Sequence, residues 1–248
     1  MRRRHLLVRG AILLLLVSPF PADASRVEIS PTLLELGPER PTAVLQLRNS
    51  SDVTVDFEVL AFAWDQDEEN DVHLTETREI VFFPAMVSVE PGKVRKVRVA
   101  AQTPLEKTEK AYRLLLKQLP PRSAPEGGTA VHILTEFLVP VFAGHAGIRP
   151  APELAVVRSE GQRVELKLRN AGQRRLQPFP MEVRVLDEAG ATLHSAEIHG
   201  WYVLPGREKS YTVQLPENAC PAAHRVVVRA EFVDAPAREV SSAHRCSP

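Results

Sequence analysis

The chain has 248 residues, and its 31 lysines and arginines balance 31 aspartates and glutamates, so the formal net charge is zero. That balance lacks the basic footprint of a nucleic-acid binder, and no segment supplies the ~20 apolar residues of a membrane-spanning helix. The length fits one large β domain or two of about 100 residues each, and a sizeable core is feasible at either size.

The first 24 residues read as a secretory signal peptide. Arg2, Arg3, Arg4 and Arg9 form a positive n-region, residues 11–17 a short apolar core, and Ala22-Asp23-Ala24 a small-x-small cleavage site before Ser25. The apolar run is too short for an anchor, so export without membrane insertion is expected. Cleavage removes four arginines and one acid, leaving the mature chain at about −3.

The mature chain is strand-like almost throughout. Ala43, Leu45 and Leu47 alternate with Gln46 and Arg48; Val53, Val55, Phe57, Val59 and Ala61 alternate with Thr54, Asp56 and Glu58. Asp65-Gln66-Asp67-Glu68-Glu69-Asn70-Asp71, with Glu76 beyond, has the acid spacing of a calcium loop. Asn70 stands where that loop needs glycine, and the flanks read as strands, so a solvated acidic turn is expected. Val97 and Val99 alternate with Lys96 and Arg98, and Thr103-Pro104-Leu105-Glu106 predicts a capped turn or two of helix between strands.

Residues 120–128 form a proline- and glycine-rich loop, and residues 129–142, TAVHILTEFLVPVF, come directly after it. One face of this segment carries Val131, Ile133, Phe137, Val139 and Val141; the other carries Leu134, Leu138 and Phe142. A strand apolar on both faces must be covered on both, and Pro140 places it at a sheet edge or a bulge. Two readings stand: a central strand buried in its own sandwich, or a binding edge that joins a partner's sheet.

A Gly/Pro/Ala-rich run near residues 143–152 then interrupts the strand pattern. The expected organisation is a signal peptide over residues 1–24, a first domain over 25–144, a linker over 145–152 and a second domain over 153–248. In the second half Val164, Leu166 and Leu168 alternate with Glu165, Lys167 and Arg169, with further strands near residues 181–186, 211–215 and 225–232. Many short strands with turn signals between them predict an all-β protein of two immunoglobulin-like sandwiches joined at an angle.

Cys220 and Cys246 are the only cysteines. In an exported domain such a pair predicts a disulfide. His224 and His244 stand near them, but not at the spacing of the usual metal-ligand pairs, so no metal is expected there. The remaining histidines are scattered, and neither a Gly-x-Ser-x-Gly elbow nor a phosphate-cradling glycine loop occurs. No catalytic residue and no cofactor are therefore assigned.

Ile29-Ser30-Pro31-Thr32, Leu47-Arg48-Asn49, Trp64, Phe83-Pro84, Pro91-Gly92 with Val97-Arg98-Val99, Tyr112-Arg113-Leu114 and Gln118-Leu119-Pro120 succeed one another in order. Leu168-Arg169-Asn170 and Gly200-Trp201-Tyr202-Val203-Leu204-Pro205-Gly206 continue the series in the second half. This order resembles the PapD-like periplasmic pilus chaperones, in particular their archaic, Csu-like branch, across nearly the whole mature chain. The resemblance implies a periplasmic, non-enzymatic chaperone with pilus subunits and an outer-membrane usher as partners; self-association of the free chaperone is left open by the sequence. It implies that a long edge strand complements a subunit lacking one of its own. That strand would use Val131, Ile133, Thr135, Phe137 and Val139, which share one face.

The better-known branch of the family holds its client's terminal carboxylate with an arginine on the first strand and a lysine in the cleft. The first of these aligns near Leu33 here, so Arg98 and Arg113 are the candidate anchors, with Lys117 behind them; each also reads as an ordinary surface charge. A structural pilus or surface subunit is the alternative function. Two full-sized domains, with a first strand directly after the cleavage site, speak against it.

Overall fold

A computed structural model describes residues 26–67, 72–102, 104–121, 133–217 and 219–246. The expected signal peptide, the centre of the acidic loop and most of the loop before the apolar strand, Val131 included, lie outside these residues.

Among the described residues ten strands precede the interdomain run: β1 (Val27–Ser30), β2 (Leu34–Leu36), β3 (Thr42–Asn49), β4 (Val55–Gln66), β5 (Val72–Glu76), β6 (Ile80–Phe83), β7 (Met86–Val89), β8 (Val94–Ala101), β9 (Lys110–Gln118) and β10 (Glu136–Ala143). Seven come after it: β11 (Pro152–Glu160), β12 (Arg163–Asn170), β13 (Met181–Leu186), β14 (Thr192–Ile198), β15 (Glu208–Gln214), β16 (Arg225–Ala230) and β17 (Arg238–Ala243). The first set forms two facing sheets, β1-β3-β8-β6 and β2-β10-β9-β4-β5, with β7 also on β4. The second set forms the sheets β11-β12-β15 and β14-β13-β16-β17. The chain is thus two β-sandwiches of immunoglobulin type, as the strand pattern predicts.

The alternation decides which residues enter each core. Leu45, Leu47, Val55, Phe57, Val59, Val97, Val99, Leu114 and Leu116 are all buried in the first, while their polar neighbours face outward. Val164, Leu166, Leu168, Val183, Val226 and Val228 do the same in the second. The helical turn predicted near Pro104 does not form: residues 104–109 run without helix into β9. Six residues are too few for a stable helix in isolation, and the peptide N–H of Glu109 bonds to the Gln173 carbonyl across the elbow instead.

Both sandwiches turn a corner with the same device. Asn49 ends β3 fully buried; its amide donates to the carbonyls of Val89 and Val53, and its oxygen accepts the Ser51 N–H. The carbonyl of Asn49 accepts the N–H of Gly92, whose φ of 68° suits glycine. Asn170 ends β12 in the same way, donating to the carbonyls of Val203 and Arg174 and accepting the Gly172 N–H. Gly206, at φ 73°, donates to its carbonyl. The Leu-Arg-Asn and Pro-Gly motifs are therefore one structural unit used twice.

Candidate functional site at the elbow

Between the sandwiches lies a third apolar cluster. Trp64 of β4, Ala111 of β9 and Phe142 of β10 meet Leu204 of the second sandwich, with Leu33 and Tyr202 packed around them. The Trp64, Phe142 and Tyr202 rings pack with centroids 5.3–6.0 Å apart. These residues sit on the face of the β10-β9-β4 sheet turned away from the first core, which is why Trp64 fits no core pattern in sequence.

Polar groups lock this contact. The buried Gln66 side chain donates to the Tyr202 carbonyl (2.8 Å) and accepts the Leu204 N–H (2.9 Å). Arg207 grips Asp65 with two nitrogens, its Nε 2.9 Å from Oδ1. On the far side Glu109, just before β9, accepts the N–H of Arg175 at 2.9 Å and its guanidinium at 2.7 Å. The same guanidinium also binds Glu35 and lies 4.0 Å over the Phe142 ring. Desolvation pushes the Glu109 carboxyl above its ordinary value despite Arg175. Burial works against Glu35 as well, but Arg175 and Arg174 outweigh it and hold that carboxyl low.

Arg113 projects from β9 into this elbow. Only 5% of it is exposed, and its Cζ lies 3.8 Å over the Trp64 ring and 5.9 Å from that of Trp201. One terminal nitrogen donates to the Leu138 carbonyl at 3.4 Å, whereas the buried Nε has no hydrogen-bond partner. No acid pairs with Arg113 among the described residues. Desolvation lowers its pKa, yet a guanidinium remains charged. A buried cation with donors to spare is costly and is offset only in part by the ring beneath it. Leu33, aligned with the family's first-strand arginine, supplies an apolar contact here and no charge. Arg98 stands elsewhere: its side chain is exposed on β8 in the opposite sheet, across from Val44 and Phe83.

The apolar strand runs beside Arg113. β10 pairs antiparallel with β9 along its whole length, Pro140 opposite Arg113, and is joined by β2 only at residues 141–143. Among the described residues, 136–140 thus have one open edge, the setting expected for Pro140. Val139 is buried in the first core, and Phe137 lies half-buried on Phe57, ring centroids 6.1 Å apart. Thr135 is half-buried, its N–H donating to the Gln118 side chain. Ile133 is 81% exposed, and Leu134 and Leu138 are exposed on the other face.

At the opposite end of the second sandwich Cys220 and Cys246 form the expected disulfide, with Cα atoms 5.6 Å apart. Replacing both with serine is expected to cost about 3–4 kcal/mol in the chain-entropy account. The check is a lower urea midpoint for the double variant; an unchanged midpoint would mean that strand pairing alone holds this corner.

The family model for pili and flagellar-assembly chaperones, PapD N-terminal domain, matches residues 26–151, just over half of the chain. This protein belongs to the PapD-type chaperone family. Among solved structures it is similar to the CsuC–CsuE chaperone–tip adhesion subunit pre-assembly complex of archaic Csu pili from Acinetobacter baumannii, at 19% identity over 75% of this chain and 89% of that one, with a TM-score of 0.54. The YadV chaperone is 13% identical over 88% and 98% of the two chains, TM-score 0.59. The SafA pilin–SafB chaperone complex of Salmonella enterica gives 13% identity over 88% and 97%, TM-score 0.57. At these identities the structural likenesses establish the fold alone. No curated protein matches the sequence.

Proposed function

We propose that this chaperone binds pilus subunits in the periplasm, completing each with the segment that leads into β10 as an added strand, and passes them to an outer-membrane usher. The observation that carries the reading is a strand edge left open among the described residues, led into by exposed Ile133 and Leu134 and carrying exposed Leu138, beside a buried guanidinium that meets no acid among those residues. An added strand would satisfy the edge's backbone groups and cover its side chains, and a C-terminal carboxylate would satisfy Arg113. Val139 and Phe137 fix the strand to its own sandwich, so within the segment 131–139 the end at Ile133 and Val131 reaches farthest into the client. The linker at residues 145–152 sets the elbow in which Arg113 lies.

A charge-assisted, two-point contact from Arg113 is worth ~1.5–3 kcal/mol, so Arg113→Ala should weaken pilin binding about ten- to a hundredfold. Binding is measured by calorimetry with a pilin and with the same pilin amidated at its C-terminus. The loss should appear with the first and vanish with the second. Arg98→Ala should behave as wild type; an Arg113→Ala chain that binds intact pilin normally would remove the anchor from Arg113.

A further inference from the structure

The far corner of the second sandwich holds a set of ligand-type groups that the elbow does not use. Cys220 opens the 3-10 turn Cys220–Ala222 after β15, while His244 and Cys246 come after β17. The two sulfurs and a ring nitrogen of His244 all lie within 4.8 Å of one another. His244 Nε2 is 3.4 Å from Cys246 Sγ, close to the ~3.5 Å that tetrahedral zinc sets between a thiolate and an imidazole nitrogen. Gly161, in the β11–β12 turn, directs its carbonyl oxygen into the same space, 3.1 Å from His244 Nε2 and 3.0 Å from Cys220 Sγ. Spacing in the sequence gives no hint of this, because His244 is brought in by the pairing of β16 with β17 and the Gly161 bridge of the neighbouring turn.

We propose that Cys220, Cys246 and His244 form a latent site for a zinc-class d10 cation, closed by the disulfide and opened by its reduction. A dithiol reductant cleaves the S–S bond: its two thiols give two electrons and two protons and become a disulfide, and each protein sulfur becomes a thiol. Binding of Zn2+ then releases both thiol protons, leaving two thiolates and one neutral imidazole as ligands, with the Gly161 carbonyl or a water in the fourth position.

Ser159 completes the arrangement. Its Oγ lies 2.8 Å from His244 Nδ1. In the disulfide form Nε2–H donates to the Gly161 carbonyl, and Nδ1 accepts the serine proton. On metal binding the tautomer exchanges: Nδ1–H donates to the serine oxygen, and the Nε2 lone pair is freed for the cation. A hydroxyl serves both states because it can donate or accept. Metal and disulfide are mutually exclusive, so a bound cation would also block reoxidation.

The test uses the full purified chain, oxidised or reduced with a phosphine, titrated with Zn2+ against a chromogenic chelator and with Co2+ as a spectroscopic reporter. The reduced chain is expected to take up one equivalent and show a thiolate-to-Co2+ charge-transfer band; the oxidised chain should do neither. Ser159→Ala should weaken binding by about tenfold, and His244→Ala should remove stoichiometric uptake while its oxidised form keeps the native circular dichroism. Equal uptake by oxidised and reduced chains, wild-type uptake by His244→Ala, or a reduced chain that unfolds and takes up no zinc would each overturn the proposal.

Discussion

Replacing Ile133 with aspartate is expected to leave the chaperone folded and to abolish recovery of its pilin. The side chain is 81% exposed, so no interior contact of its own sandwich is lost. In the client's groove the same position would be buried. Burial of an isoleucine there contributes ~1.5–3 kcal/mol, and an unpaired carboxylate put in its place costs several kcal/mol more. The sum is at least about 4 kcal/mol, a thousandfold or greater loss of affinity. Co-purification from the periplasm with one pilin measures it, together with the melting temperature of the variant alone. An unchanged pilin yield from a folded variant would mean that this segment is not the donated strand. Val139 cannot serve for this test, because it is buried in the chaperone's own core.

Arg175→Ala is expected to have the largest effect on the chaperone itself. Arg175 and Glu109 are each less than one-tenth exposed, and removing the Arg175 guanidinium leaves the buried carboxylate with only the residue-175 N–H and the Arg174 Nε 3.8 Å away. Breaking such a pair costs about 3–5 kcal/mol, whereas replacing both members by apolar groups of similar size is near neutral. The loss should fall on the docking of the two sandwiches. It would be read as an earlier melting transition and a larger radius of gyration in solution scattering. Glu109→Leu combined with Arg175→Met should recover most of it. A single variant that costs less than about 1 kcal/mol would mean that water reaches the pair and screens it.

The two sandwiches were legible in the sequence because burial in a sheet follows a period of two, and Val55, Phe57, Val59 and Ala61 announce it directly. The corner turns were legible as motifs, and the disulfide as a pair in one exported domain. Arg113 was legible only as one basic residue among several; what separates it from Arg98 is which sheet each strand joins, and that is decided by long-range pairing. The residues that hold the elbow gave no signal. Gln66 ends an alternating strand, Glu109 stands in the mixed run Glu-Lys-Thr-Glu-Lys, and Arg174 and Arg175 fall in a turn. Each acts once, across the gap between sandwiches, so no periodicity marks it. β2 escaped for a related reason: three residues long, it is defined by parallel pairing with a strand far away in the chain.

The Gln66 contact has a bearing on domain exchange. Its amide takes the place of a peptide unit, offering one donor and one acceptor to the main chain at Tyr202 and Leu204. What it reads in the second sandwich is backbone, which every sequence possesses, so these two hydrogen bonds are indifferent to side-chain drift at Tyr202 and Leu204 and sensitive to a change at Gln66 alone. In a chimera with a second sandwich from a distant relative, this pair of hydrogen bonds should therefore persist as long as the turn keeps the same path, whereas the ion pairs made by Arg175 and Arg207 would have to come with the transplanted sandwich.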